Sequence, residues 1–356
     1  MIKADAYGLG AVAAAGALEA LDPWGYGVAT VEEGAELRAA GVERPIVVFT
    51  PLLVEDFAAA RDARLTPALG RAEAIRRWAA EGGGSWHLGI DTGMSRAGVR
   101  WRHVGGLRAA LVAHPPQGAF THFHSAERND GTREEQERRF ERALADLPAL
   151  PPVLHAENSP AIERRAPSPW TVVRPGVFLY GVGSGPGAAL APEPVVHVRA
   201  RVVDLRTVSD GETVSYDGTW RAVGDRRIAT VAAGYADGYR RSLGNRGTAL
   251  VRGEAAPVAG LVTMDMTMLD VTGLACDVGD VATLVGRDGG RLLDVESVAR
   301  AADVSPYELL TGLRLRMPRV YVESERATSD PAGDAAGDAV RRGSHRGGGA
   351  RMMERG

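Results

Sequence analysis

Between Ala11 and about Gly181, short apolar runs alternate with longer Ala/Arg/Glu-rich stretches at helical spacing, and this repeat points to consecutive βα units. Eight strands are predicted: a stub at Lys3, then Tyr26–Thr30, Pro45–Thr50, Leu65–Leu69, Ser85–Asp91, Gly118–His122, Val153–Glu157 and Val172–Arg174. Helices fit between them, as at Val31–Ala40, Val54–Ala63, Arg71–Ala80 and Glu134–Ala145. Eight such units close into a barrel that carries its chemistry at the carboxyl ends of the strands. A strand usually needs about five residues, yet only Met1 and Ile2 precede Lys3. A misassigned start codon or a truncation is the expected reason, with the first strand short and an apolar surface partly uncovered.

The Gly/Pro-rich stretch Gly181–Pro194 contains Gly181-Val-Gly183-Ser-Gly185, but no amphipathic helix follows, so it reads as an interdomain linker rather than a dinucleotide loop. Beyond it, Val195–Leu205, Arg227–Ala232, Thr248–Arg252 and Val281–Leu284 are β-like and separated by Gly/Asp turns. Two short helices, Leu292–Ala301 and Pro306–Leu313, precede a last strand near Arg319–Val322. The stretch from Glu323 to Gly356 has almost nothing to bury and is expected to be disordered. The predicted fold is therefore α/β, with an N-terminal (β/α)8 TIM-like barrel over residues 1–183, a mainly β C-terminal domain over 184–322 and a tail over 323–356.

Composition excludes several classes of function. A net charge of −3 gives no whole-chain attraction to nucleic acid or to an acidic membrane. The single cysteine, Cys276, cannot form an intrachain disulfide, which suits a reducing compartment. No apolar run approaches the roughly 20 residues that span a bilayer. The chain is expected to be cytoplasmic, without nucleic-acid or membrane partners.

Of the 42 basic residues only Lys3 is a lysine. A guanidinium stays protonated to a pKa above about 12, so arginine cannot replace an amine that must lose its proton and attack a carbonyl. A lysine-poor genome would also leave one lysine by chance, so Lys3 alone decides nothing. Its surroundings do: Lys3-Ala-Asp-Ala-Tyr7-Gly-Leu9-Gly10 resembles the cofactor-lysine motif of the alanine racemase family, which usually has His in place of Leu9. The resemblance implies that Lys3 holds pyridoxal 5'-phosphate (PLP) covalently and that the Tyr7 hydroxyl reaches the cofactor phosphate.

Further motifs carry the resemblance along the chain. His155-Ala-Glu-Asn158-Ser159 and Arg174-Pro-Gly176-Val177 resemble the family's phosphate-binding turns, implying that Ser159 and the Gly176 and Val177 amides grip the phosphate. Asn-Ser-Pro taken alone would read as a plain turn or helix cap. Arg174 matches the arginine set against the pyridine nitrogen, and His122 the histidine that braces it. An arginine there cannot accept a proton, so the cofactor stays a weaker electron sink than it would beside a carboxylate. His122, His124 and Glu127 have metal-ligand chemistry, but strand alternation separates the two imidazoles and no metal is expected.

Gly234-Tyr235-Ala-Asp237-Gly238 resembles the segment whose tyrosine is the second acid/base, opposite the lysine. Racemisation needs two such groups because the α-proton leaves one face and returns on the other. In the family this tyrosine comes from the other subunit, which implies a head-to-tail homodimer. Asp91-Thr-Gly93-Met-Ser-Arg96 resembles the motif whose arginine contacts cofactor and substrate carboxylate. Gly260-Leu-Val-Thr-Met264-Asp265 resembles the segment whose methionine amide also binds that carboxylate. Two positions depart from the pattern: Gly89 stands where many members carry a carbamylated lysine, and Leu315 where some carry a tyrosine. The reading is a PLP-dependent alanine racemase that supplies D-alanine for peptidoglycan. The rivals are a serine or broad-specificity racemase, a related decarboxylase, and a non-catalytic PLP-binding relative.

Overall fold

The structure, a computed structural model, describes residues 1–164 and 168–322. Packing divides the chain into Met1–Arg319 and Val320–Gly356, and the architecture belongs to the first unit. The tail predicted over 323–356 lies outside the described residues.

The N-terminal half is built on parallel strands β1 (Tyr26–Val28), β2 (Ile46–Val48), β3 (Thr66–Leu69), β4 (His87–Asp91), β5 (Val99–Arg100), β6 (Gly118–Phe120) and β7 (Val153–His155). They hydrogen-bond in the order β1-β2-β3-β4-β6-β7, with β5 beside β4. The first four are buried along their whole length, because helices cover one face and the barrel interior the other. Helices run between strands where the apolar spacing changes. Thr30 caps Val31–Ala39 by accepting from the Glu33 N–H, a bond that starts the helix where β1 ends.

Two predicted barrel strands do not form as strands. The first is the stub at Lys3. Ile2 donates to the Gly27 carbonyl at 2.9 Å, one ladder-type bond, and then the backbone turns left-handed through Ala4, Asp5, Ala6 and Tyr7, each at φ between 52° and 57°. The second is Val172–Arg174, which keeps only isolated bonds to the strand beside it: Val172 N–H to Leu154 and Arg174 N–H to Glu157. The Met1 amine donates to the Pro175 carbonyl at 2.8 Å. These single bonds carry the ring from β7 through Pro175 and Met1–Ile2 to β1, in place of the two missing ladders.

A left-handed turn costs about 1–2 kcal/mol per residue in L-amino acids. It persists here because its surroundings hold it from several sides. Glu33 accepts from the Ala4 and Ala29 amides at 2.7 Å each, and Asp5 accepts from the Ala11 amide at 2.7 Å. The turn ends at Gly8, φ 88°, where an added Cβ would lie 2.5 Å from the Leu310 carbonyl oxygen. Arg319 donates twice to the Gly8 carbonyl, at 2.7 and 3.0 Å.

The C-terminal half is antiparallel. Its strands are β8 (Val198–Val208), β9 (Thr213–Val214), β10 (Trp220–Arg221), β11 (Arg226–Val231), β12 (Thr248–Val251), β13 (Glu254–Pro257), β14 (Thr267–Asp270), β15 (Val281–Asp288) and β16 (Arg291–Leu293). The main sheet runs β13-β12-β15-β8-β11-β14, with β16 beside β15, and β9 and β10 form a separate ribbon. The two predicted helices appear as Val295–Ala302 and Pro306–Thr311. No strand forms at Arg319–Val322, where the chain is irregular and three of the four side chains are strongly exposed. Among the described residues no helix is long and apolar enough to cross a membrane.

Candidate active site

The carboxyl ends of the barrel strands and the left-handed turn enclose a cavity of about 620 Å³. Lys3, Tyr7, Arg96, His122, Ser159, Arg174, Gly176 and Val177 all border it, so the barrel residues singled out from the sequence converge on one place. Burial, followed by the charge of Arg96, holds the Lys3 amine below its ordinary pKa, with Glu33 opposing the shift. The neutral amine is the form that attacks carbonyls and accepts protons.

Arg174 is buried in the floor of the cavity. Its guanidinium donates to the carbonyls of Thr121 at 2.7 Å and Ala156 at 3.0 Å, to His155 Nδ1 at 2.8 Å and to His122 Nδ1 at 3.3 Å. It also lies 5.7 Å from the centroids of the Phe49 and Phe120 rings. Burial lowers its pKa to about 9 while Glu157 pulls it up, so it stays cationic at neutral pH. His122 is held down to about 3 by burial and then by Arg174, Arg96 and Lys3, and it meets Arg174 as a neutral acceptor. His155 lies nearer to Arg174 than the histidine expected from the sequence.

The opposite wall gathers hydroxyls and backbone amides. Ser159 Oγ accepts from the amides of Gly176 at 2.9 Å and Phe178 at 3.3 Å. A Cβ at Gly176 would stand 2.6 Å from the Tyr7 hydroxyl oxygen, so this glycine lets the hydroxyl lie against the backbone. Val177 opens the 3₁₀ turn Val177–Tyr180, whose first amides find no partner within the turn. The Tyr7 ring packs 4.9 Å from Tyr180 and 6.0 Å from Tyr307, and burial raises its pKa, so the phenol remains protonated and can donate.

Asp91 Oδ1 accepts from the Gly93 and Ser95 amides at 3.0 and 2.9 Å, shaping the loop that carries Arg96 out from β4. Arg96 is exposed. At Gly89 an added Cβ would meet the Phe120 ring at 3.3 Å, so Phe120 crowds the start of any side chain placed there.

A family model described as alanine racemase, N-terminal domain, matches residues 1–184, and another described as alanine racemase, C-terminal domain, matches residues 195–321. The chain belongs to the alanine racemase family. It is 39% identical over 354 residues to an alanine racemase of Sorangium cellulosum, covering 91% of each chain. An alanine racemase crystal structure from E. faecalis superposes with a TM-score of 0.85 at 30% identity, covering 90% of each chain. One from Bartonella henselae, described as having covalently bound pyridoxal phosphate, superposes at 0.83 with 28% identity, covering 90% of this chain and 91% of that one.

Two residues that the alanine racemase resemblance assigns to the same site do not border the cavity of their own chain. Tyr235 is 39% exposed and Met264 53% exposed, on adjoining loops of the β half. The Tyr235 amide donates to Thr263 at 3.0 Å and the Ala236 amide to Met264 at 3.0 Å, so the loops form one unit. Asp237 accepts from the Gly234 amide at 2.8 Å and from Arg316 at 2.7 and 2.8 Å, and Arg316 also donates to Asp265 at 2.6 Å. The sequence reading assigned no role to Tyr307, which borders the cavity, or to His87 and His155, which lie behind Arg174. Tyr307 is 304 positions from Lys3 and carries no local signal, whereas a histidine inside each of two apolar strands was visible as a buried imidazole needing partners.

Proposed function

We propose that this chain is a PLP-dependent alanine racemase, interconverting L- and D-alanine in the cytoplasm to supply D-alanine for peptidoglycan. The observation that carries this is the convergence of one partly buried lysine, one buried, hydrogen-bonded arginine and an anion cradle on a single cavity. The donor set fits PLP. Lys3 would hold it covalently, Arg174 would donate to the pyridine nitrogen, and Tyr7, Ser159 and the Gly176 and Val177 amides would bind the phosphate. The close approach of the Tyr7 hydroxyl to the Gly176 backbone, which gathers both groups at one end of the cavity, supports that fit.

Bound PLP supplies an electron sink that acidifies the substrate α-carbon. The protein supplies binding and proton transfer. Arg96 orients the substrate carboxylate, helped by the Met264 amide of a second copy. Lys3 Nζ moves the α-proton on one face, and Tyr235 Oη of the second copy moves it on the other. Arg174, a donor with no acceptor, would meet the ring nitrogen only as a hydrogen-bond donor, which would limit competing reactions. The exposure of Tyr235 and Met264, and their place away from their own cavity, support a head-to-tail homodimer in which residues 1–183 hold the cofactor and 184–322 supply the second base.

Chiral analysis of L-alanine incubated with the PLP-loaded protein in deuterated water tests the reading. D-alanine carrying α-deuterium is expected. Deuterium without D-alanine would mean that only one face exchanges, and neither product from folded, PLP-bearing protein would defeat the assignment.

A further inference from the structure

Behind Arg174 a line of buried polar groups runs from the cavity to the opposite end of the barrel. Arg174 Nη1 lies 2.8 Å from His155 Nδ1, and His155 Nε2 lies 2.8 Å from His87 Nδ1. His87 is fully buried and His155 nearly so. Beyond them, His87 Nε2 and Gln117 Oε1 are both buried and make no hydrogen bond of ordinary geometry, and the Gln117 side chain lies near enough to His87 to raise its proton affinity. Gln117 sits just before β6 and borders a second cavity at the amino ends of the strands.

Only one proton arrangement satisfies every contact. Arg174 has no acceptor, so it must donate to His155 Nδ1. A neutral His155 then carries its proton on Nε2 and donates to His87 Nδ1. His87 in turn carries its proton on Nε2 and offers it to Gln117 Oε1. Burial keeps both rings neutral, which this arrangement requires.

The backbone makes room for the line. β6 lies between β4 and β7, with His87 paired to Gly118 and His155 paired to Phe120. A Cβ at Gly118 would fall 2.7 Å from His87 Cε1 and Nε2, so only glycine lets the imidazole cross β6 toward His155.

We propose that His87, seated over Gly118 beside Gln117, is a positioning residue that accepts the His155 Nε2 proton, holds the His155 ring in place and thereby sets the donor geometry of Arg174. Its link to catalysis rests on the racemase reading, whereas the tautomer chain does not.

The test combines nitrogen-15 NMR of selectively labelled histidines in the full-length PLP-loaded protein with alanine racemisation kinetics. In the unaltered protein both rings are expected to be neutral with the proton on Nε2. In His87→Leu the His155 Nε2–H loses its acceptor, so its nitrogen-15 resonance moves to that of an N–H without a hydrogen bond, and kcat falls about tenfold while KM changes less than about twofold. His87→Gln offers an acceptor and a donor in the same order and should restore the hydrogen-bonded His155 Nε2–H resonance, and kcat to within about threefold of the original. Gly118→Ala removes no polar group yet should reproduce His87→Leu, and it carries the test should His87→Leu fail to fold.

An Nδ1–H proton on His155 in the unaltered protein overturns the proposal, as does an unchanged kcat in both His87→Leu and Gly118→Ala, or a His87→Gln variant no better than His87→Leu. Correct tautomers in a protein that does not racemise alanine would instead sink the functional reading and leave the hydrogen-bond line standing.

Discussion

The barrel cavity and the Tyr235–Met264 loops are both organised before any ligand arrives, but by different means. At the barrel end the functional groups are themselves sequestered: Arg174 makes four hydrogen bonds and His122 is held neutral against it. In the loops the backbone is tied down by Asp237 and Arg316, while the Tyr235 and Met264 side chains are left facing out. Preorganisation of an exposed side chain serves a surface that something else completes. The contrast teaches that the two halves are held rigid by different means, and the proposed head-to-tail dimer would bring the exposed tyrosine of one copy to the cavity of another.

The sharpest way to break this comparison is complementation. Lys3→Ala and Tyr235→Phe should each abolish racemisation as separate homodimers. Mixed and allowed to exchange subunits, half the dimers become heterodimers, each with one intact site if Lys3 of one copy works with Tyr235 of the other, so about a quarter of the original activity returns. A site made within one chain would restore none, because no subunit in the mixture carries both residues.

Much of the barrel was legible because the first parallel strands are buried on both faces and read as apolar runs, as at Pro45–Thr50 around β2. The ends of the ring were not. Nothing local in Lys3–Gly8 announces a left-handed turn, because the groups that hold it, Glu33, Leu310 and Arg319, come from distant positions. Val172–Arg174 looked like a strand by composition but keeps only single bonds to its neighbour. In the β half, Glu254–Pro257 was missed because a short Ala-rich edge segment ending in proline has little strand propensity, and only pairing with β12 makes it one. The residues that border the cavity were legible where a motif is contiguous, as in the Lys3–Tyr7 stretch. The expected contact between His122 and Arg174 is present, but the closer one from His155 went unassigned, since it arises from strand register that a linear motif does not show.

A second prediction separates the two regions by their response to acid. His87 and His122 are held at about 4 and about 3 against an ordinary 6.5, in both cases chiefly by burial. Folding therefore removes proton-binding capacity, and between about pH 6.5 and those values the unfolded chain binds more protons than the folded one. Stability should rise with pH across that window and level off above it, with each ring contributing a loss of about 2 kcal/mol by pH 5. Urea midpoints at pH 7.5 and 5 would measure it. His122→Asn should flatten part of the slope, while Tyr235→Phe should leave it unchanged. A slope that moved with Tyr235 would mean that the barrel end does not set acid stability.

The smallest expected effect is in the loop anchor. Asp237 accepts three hydrogen bonds, and an asparagine there keeps one acceptor oxygen but turns an N–H donor toward Arg316 or the Gly234 amide. Arg316 is half exposed, so water replaces part of what is lost and Asp237→Asn should cost only about 1 kcal/mol of stability. Because the loop carries Tyr235 rather than the cofactor groups, the loosening should appear as a several-fold lower kcat, with PLP affinity unchanged in an equilibrium titration. Equal losses in kcat and PLP affinity would show that the anchor also supports the cavity, and the two regions would then have to be treated as one mechanical unit.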